Sequence, residues 1–172
     1  MNASTLNAAV YVRPPVLADE RAFLSAVRAS RTLHQPWTAA PDTSALFRVY
    51  IERMALPQNS AFLVCRRDTG AFVGTINVTN IVLGQFRSGY LGFYAFAGHE
   101  RQGLMRQGLR AVAGHAFKAL KLHRLEANIQ PANAASIALV TSCGFNREGY
   151  SPRYLKIGGR WRDHERWAIL AS

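Results

Sequence analysis

The sequence predicts a mixed α/β sheet of about seven strands, mostly antiparallel, flanked by about four helices. Three observations carry this. Short runs rich in Val, Ile, Phe and Tyr alternate with stretches of three- and four-residue apolar spacing, in the order strand, two helices, three strands, helix, strand, helix, two strands. Asp68-Thr69-Gly70 and Gly158-Gly159 join neighbouring strands by turns too short for a crossover, so those pairs are antiparallel hairpins. A long helix separates the fourth strand from the fifth, and a crossover of that kind lays two strands parallel.

Taken in order, residues 9–13 read as a strand stopped by Pro14-Pro15, and residues 17 to about 31 as a helix with Phe23, Leu24 and Val27 on its inner face. A loop with Pro36, Trp37 and Pro41 follows, and Asp42-Thr43-Ser44 supplies the cap of a second helix reaching about residue 56. Residues 60–67 and 71–78 form the first hairpin. An irregular loop near Gly84 leads to a strand at about 88–96 and then to a helix ending near 121. That helix places Met105, Leu109, Val112, Ala116 and Leu120 on one face, with Arg106, Arg110 and Lys118 interleaved. A strand at 124–130 and a helix at 134–142 come next, the latter N-capped by Asn133 and ended by Gly144, with Phe145 folding back on the last turn. Two strands around Gly158-Gly159 close the chain.

At 172 residues the chain has the size of one domain, expected to span 1–172. No apolar run is long enough to span a bilayer, and Met1-Asn2-Ala3-Ser4-Thr5-Leu6-Asn7 lacks the charged start and apolar core of a secretory signal. Cys65 and Cys143 have neither metal-ligand nor disulfide-framework spacing, so a cytoplasmic protein with free thiols and no metal is expected. The 21 Lys plus Arg against 10 Asp plus Glu leave a formal charge of +11, which favours anionic partners such as nucleotides, nucleic acid or a ribonucleoprotein surface. Lysine occurs only at Lys118, Lys121 and Lys156, and no consecutive basic block with interleaved aromatics forms a nucleic-acid stripe.

The segment Leu91-Gly92-Phe93-Tyr94-Ala95-Phe96 runs through Ala97-Gly98-His99-Glu100 and Arg101-Gln102-Gly103-Leu104-Met105-Arg106 into the long helix. Such a strand-to-helix turn points unpaired N–H groups at the positive end of the helix dipole, where a phosphate is stabilised, and Gly103 lets the backbone approach it. Asn133 and Ser136 open the later helix. Each has an ordinary structural role available, Asn133 as cap and Ser136 in bonding a backbone carbonyl; the functional reading has both lining a slot between the fourth and fifth strands.

These segments, with Asn-x-x-Ser at Asn133 and Ser136, Gly144-Phe145, Tyr154-Leu155-Lys156-Ile157 and Gly159-Arg160-Trp161-Arg162-Asp163-His164, resemble the GNAT acetyltransferase superfamily. Within it the chain is most similar to the RimJ/RimL-like enzymes that acetylate the N-terminal alanine of ribosomal proteins. The resemblance implies a splayed parallel pair at strands four and five. It further implies acetyl-coenzyme A as cosubstrate, held by the loop amides of Arg101, Gln102, Gly103, Leu104, Met105 and Arg106. The pantetheine arm would lie along the fourth strand at Ala95 and Phe96, and Asn133 would hold it from the other side. Ser136 is implied as the donor to the leaving thiolate. Glu100 stands where the superfamily has Gln or Arg, and Met105 where it has Gly or Ala.

An N-terminal α-amine with a pKa near 8 is roughly a tenth neutral at pH 7, whereas a lysine costs about 3 kcal/mol more to deprotonate, so a weak base or a water suffices. A backbone N–H on the fourth strand is the expected oxyanion donor. Glu126 and His164 are the candidate bases, each also explicable as a surface ion pair or a hairpin anchor. His99, His115 and His123 read as structural or exposed, and Cys143 lacks a neighbouring His to activate it. The acceptor pocket is expected between the first two helices, the loop at Gln35-Pro36-Trp37 and the closing hairpin near Tyr154. A protein N-terminus, with ribosomal protein or ribosome association, is the first acceptor class; a small amine or antibiotic is the second, and a non-catalytic coenzyme A- or RNA-binding module the third. A monomer and a homodimer are both open.

Overall fold

The computed structural model describes residues 8–171, so the reading of the first seven residues lies outside them. Strands β1 (Val10–Arg13), β2 (Ser60–Arg66), β3 (Phe72–Val82) and β4 (Ser88–Ala95) pair antiparallel in succession. Strand β5 (Arg124–Ile129) lies parallel to β4, and β7 (Arg160–Leu170) pairs antiparallel with both β5 and β6 (Asn146–Ile157). The sheet order is β1-β2-β3-β4-β5-β7-β6, mostly antiparallel with one parallel pair, as expected.

Helices α1 (Glu20–Ala29), α2 (Arg31–His34), α3 (Ser44–Met54), α4 (Leu104–Lys118) and α5 (Ala134–Ser142) flank the sheet, with a 3-10 turn at Leu17–Asp19. The single helix expected at 17–31 is therefore divided. At its start Asp19 accepts from the Val16 N–H at 2.8 Å and from both Nη atoms of Arg13, which tightens the first residues into a 3-10 turn. At its end Ser30 leaves helical geometry and donates its hydroxyl to the Ala26 carbonyl at 2.6 Å.

Two apolar layers cover the sheet. Leu109, Val112 and Val140 from α4 and α5 pack on Val64, Ile76 and Leu125. On the opposite face Phe23, Phe47, Tyr50 and Phe96 form a second cluster, with the Phe23 and Phe47 ring centroids 4.8 Å apart. Each such ring stabilises the fold by about 1.5–3 kcal/mol through burial.

Two features of the sheet position the site. A register shift opposite Val64 and Cys65 makes Val73 an extra residue on β3, and the following Gly74 seats the helix. A Cβ at Gly74 would lie 2.5 Å from the Tyr94 carbonyl oxygen and 2.6 Å from Met105 Sδ, so only glycine lets the first turn of α4 close on the strands. The second feature is the splay. Pairing of β4 with β5 runs from Ser88–Arg124 to Leu91–Ala127 and stops, while β4 continues along β3 to Ala95 and β5 along β7 to Ile129.

Candidate active site

The backbone groups that face the gap follow from strand alternation. Phe96 donates its N–H to the Val73 carbonyl at 2.7 Å, so Phe96, Tyr94 and Gly92 belong to the β3 ladder. The N–H and C=O groups of Phe93 and Ala95 then turn the other way, into the splay. The Ala95 carbonyl accepts from His34 Nε2 at 2.8 Å, which leaves Phe93 and the Ala95 N–H on the β4 bank without a strand partner across the gap. His34 is buried, edge-on to Tyr94 at 4.8 Å, and desolvation holds its pKa below the ordinary histidine range. The expectation for Phe96 needs correction. Its ring is 1% exposed within the core and its N–H is taken by Val73, so the backbone that faces the gap is that of Ala95 and Phe93.

Beyond β4 the chain turns through three left-handed residues, Gly98 (φ 89°), Arg101 (φ 59°) and Gly103 (φ 70°). Gly103 is the N-cap of α4 and has no side chain to occupy the first-turn amides, so those of Leu104, Met105 and Arg106 point free along the helix axis. The side chains of Leu104 and Met105 are buried, and only their backbone faces the turn. A Cβ added to Gly103 would meet only Arg106 Nη2, at 3.6 Å, which places the guanidinium beside the cradle. The turn is braced from several elements. Ala97 N–H donates to Ser30 Oγ at 2.8 Å, and Gln102 accepts from Arg66 at 3.1 Å while donating to the Gly98 carbonyl at 3.2 Å. Glu100 folds back to accept from the Gly98 N–H at 2.8 Å, so its carboxylate serves the turn from within.

Across the gap, at the C-terminal end of β5, Asn133 caps α5 by accepting from the Ser136 N–H at 3.1 Å. Ser136 Oγ, half-buried, makes no hydrogen bond among the described residues and is available as a donor. The turn amides and the gap-facing backbone of β4 thus lie on one side of the splay, and the start of α5, which follows β5, on the other. The residues bordering this slot fit a ligand with a diphosphate at one end and an extended amide-bearing arm: a glycine-cradled helix start flanked by Arg101 and Arg106, continuous with unpaired strand amides.

The remaining candidates take structural places. Glu126 accepts from Arg124 at 2.9 Å, and Arg124 also holds Glu148. His164 is 3% exposed, and since a carbonyl only accepts, its Nδ1 carries the hydrogen donated to Arg162 O at 2.9 Å. Its ring packs edge-on with Tyr154, 6.2 Å between centroids. His115 packs edge-on against Phe62, His123 is exposed, and His99 is half-buried with Nδ1 unpartnered among the described residues. Burial pushes the Cys143 thiol up, away from a reactive thiolate, and its Sγ faces the Arg106 carbonyl at 3.8 Å. Ser30 and His34 act on the site through contacts 67 and 61 residues away in sequence, and no local pattern announces them. Among the described residues no helix is long and apolar enough to cross a membrane, and no group of three potential metal ligands gathers.

Comparison with known proteins agrees with this geometry. The family model for the acetyltransferase (GNAT) domain matches residues 10–146. The chain is 32% identical over 143 residues to the [ribosomal protein uS5]-alanine N-acetyltransferase of Escherichia coli, covering 78% of this chain and 74% of that protein. It is 28% identical to "Probable N-acetyltransferase YjcK" of Bacillus subtilis, covering 94% and 93%. Among solved structures, Mycobacterium smegmatis RimJ in complex with CoA-disulfide superposes with a TM-score of 0.87 at 27% identity, covering 94% of this chain and 82% of that one. Spermidine N-acetyltransferase from Vibrio cholerae in complex with CoA and spermine, at 21% identity and a TM-score of 0.77 over 95% and 96%, shares the fold. Splayed strands, glycine-cradled turn and these likenesses together place the chain in the GNAT acetyltransferase family, as an N-acetyltransferase.

Proposed function

We propose that this N-acetyltransferase uses acetyl-coenzyme A to acetylate the N-terminal α-amine of a protein, a ribosomal protein being the first candidate. The observation that carries the acceptor class is the state of the carboxylates. Asp19, Glu20, Asp42, Asp68, Glu126, Glu148 and Glu165 are ion-paired, Glu100 holds the Gly98 N–H, and Asp163 holds Tyr150 and the Arg153 N–H. Glu52 remains, exposed on α3 away from the buried stripe Phe47, Tyr50 and Met54. Glu52 is thus the one uncommitted carboxylate among the described residues, little negative charge to attract a polycation, whereas a single α-amine needs none. The name of the Escherichia coli relative supports the ribosomal-protein reading.

In this reading the amides of Arg101, Gln102, Gly103, Leu104, Met105 and Arg106 hold the diphosphate, and Arg101 and Arg106 add charge to it. Ala95 and Asn133 flank the arm. Acetyl-coenzyme A supplies an activated thioester carbonyl. The gap-facing N–H of Phe93 donates to that carbonyl oxygen as negative charge develops, and Ser136 Oγ donates to the departing sulfur. With Glu126 bound to Arg124 and His164 Nδ1 bound to Arg162 O, His164 Nε2 or a water takes the proton of the weakly basic amine. The test is thiol release with short peptides bearing Ala, Ser or Thr N-termini beside spermidine and an aminoglycoside. Turnover confined to free α-amines is expected; turnover on the polyamine alone would move the acceptor to small amines.

A further inference from the structure

We infer that the β6–β7 ribbon is a docking arm for single-stranded RNA, an inference that rests on the ribosomal-protein reading for the choice of nucleic acid. Strand β5 pairs with β7 only from Glu165 to Leu170. Residues Arg160–His164 therefore have β6 as their one ladder neighbour, and a two-stranded ribbon projects past the sheet. Its tip, residues 152–163, carries Arg153, Lys156, Arg160 and Arg162 against the single acid Asp163. Asp163 is occupied by the Tyr150 hydroxyl and the Arg153 backbone N–H.

The charge pattern changes along the ribbon. At its base Arg147 pairs with Glu165, and Arg124 of β5 pairs with Glu148. At the tip none of the four cations has an ion-pair partner among the described residues, and Arg162 Nε is buried with no acceptor at all. Beside these cations Trp161, opposite Lys156 in the register, is 60% exposed. The exposed indole shares its ribbon face with Lys156, which suits a base stacked on the ring with one flanking phosphate on Lys156 and the next reaching, around the Gly158-Gly159 turn, Arg160 of the other face and Arg153. An acidic peptide would use the cations and leave the indole idle. The sequence hides this cluster because the turn brings two separate runs together. Tyr154 of the same ribbon packs edge-on with His164, the proposed proton acceptor, so RNA held on the ribbon would keep a bound ribosomal protein near the slot.

The test is anisotropy of a labelled 12-nucleotide oligouridylate on the full chain, with saturating coenzyme A so that the turn cannot serve as the phosphate site. Binding is expected to fall with salt at a log–log slope of about −2, as about three neutralised phosphates give. Trp161→Ala is expected to weaken binding about tenfold or more. Lys156→Gln/Arg160→Gln is expected to flatten the slope by more than one, while Arg21→Gln/Lys118→Gln, which removes the same charge elsewhere, leaves it unchanged. Absence of binding, equal loss in the charge control, indifference to Trp161→Ala, or equal affinity for oligoglutamate would each overturn the inference. Peptide acetylation followed in parallel separates the two readings: inactivity on peptides with intact RNA binding refutes the acceptor and spares the arm.

Discussion

Gly103→Ala tests the slot at its narrowest point. The residue is the left-handed N-cap of α4 at φ 70°, and an added Cβ meets nothing closer than Arg106 Nη2 at 3.6 Å. The stability cost is therefore conformational. A left-handed alanine costs about 1–2 kcal/mol, and the stiffer unfolded chain returns about 0.4–1, so the net loss is about 1 kcal/mol. For a chain of this length that lowers Tm by about 2–4 °C. The effect on the acyl donor is larger. In the proposed cradle the Cβ would stand where the diphosphate oxygens approach the amides, and losing one charge-assisted hydrogen bond of about 1.5–3 kcal/mol should raise KM for acetyl-coenzyme A about 10- to 150-fold. Gly84→Ala is the matched control, with φ 71°, open space around it and a position in the β3–β4 loop. Thermal unfolding with initial rates over a range of acetyl-coenzyme A reads both effects. Equal Tm losses with a KM increase only at Gly103 are expected, and equal KM values in the two variants would refute the cradle.

Ser136→Ala should lower kcat about 10- to 100-fold, near the low end for loss of a general acid because a thiolate leaves readily, with KM for acetyl-coenzyme A within a factor of two of wild type. An unchanged kcat removes its acid role. Asn133→Ala removes the α5 cap at about 1 kcal/mol and should lower Tm by about 2–4 °C, whereas Asn133→Ser restores the cap; a raised KM that persists in the serine variant separates holding the arm from capping the helix. His34 gives a pH dependence. Its folded pKa is depressed by burial from the ordinary 6.5, so below that pH the unfolded chain takes up the proton that the folded ring resists. Stability should be full above pH 6.5 and fall on acidification, and His34→Gln should flatten the profile between pH 7 and 5. A wild-type profile that rises on acidification contradicts that sign.

The sequence carried most of the scaffold because local chemistry dictates it. Asp68-Thr69-Gly70 forces a hairpin, Thr43 and Asn133 cap helices with their own side chains, and Gly103 marks the strand-to-helix turn. Legibility failed where distant partners decide. Polar Thr79 and Asn80 read as loop, yet β3 runs to Val82 because Asn59 and Gln58 supply acceptors for Asn80 and Ile81. The resemblance implies Phe96 as a ligand contact, but strand parity commits its N–H to Val73 and its ring to the core. Ser30 sits at the break between α1 and α2 and His34 at the end of α2, and both reach the far end of β4, a relation that exists only after the helices pack on the sheet.

The most direct measurement is mass spectrometry of a single product: a short peptide with a free N-terminal alanine and one internal lysine, incubated with the protein and acetyl-coenzyme A. One acetyl group is expected, on the α-amine, because a lysine ε-amine costs about 3 kcal/mol more to deprotonate at pH 7. Acetyl on the lysine, or none on the peptide while spermidine is acetylated, would contradict it.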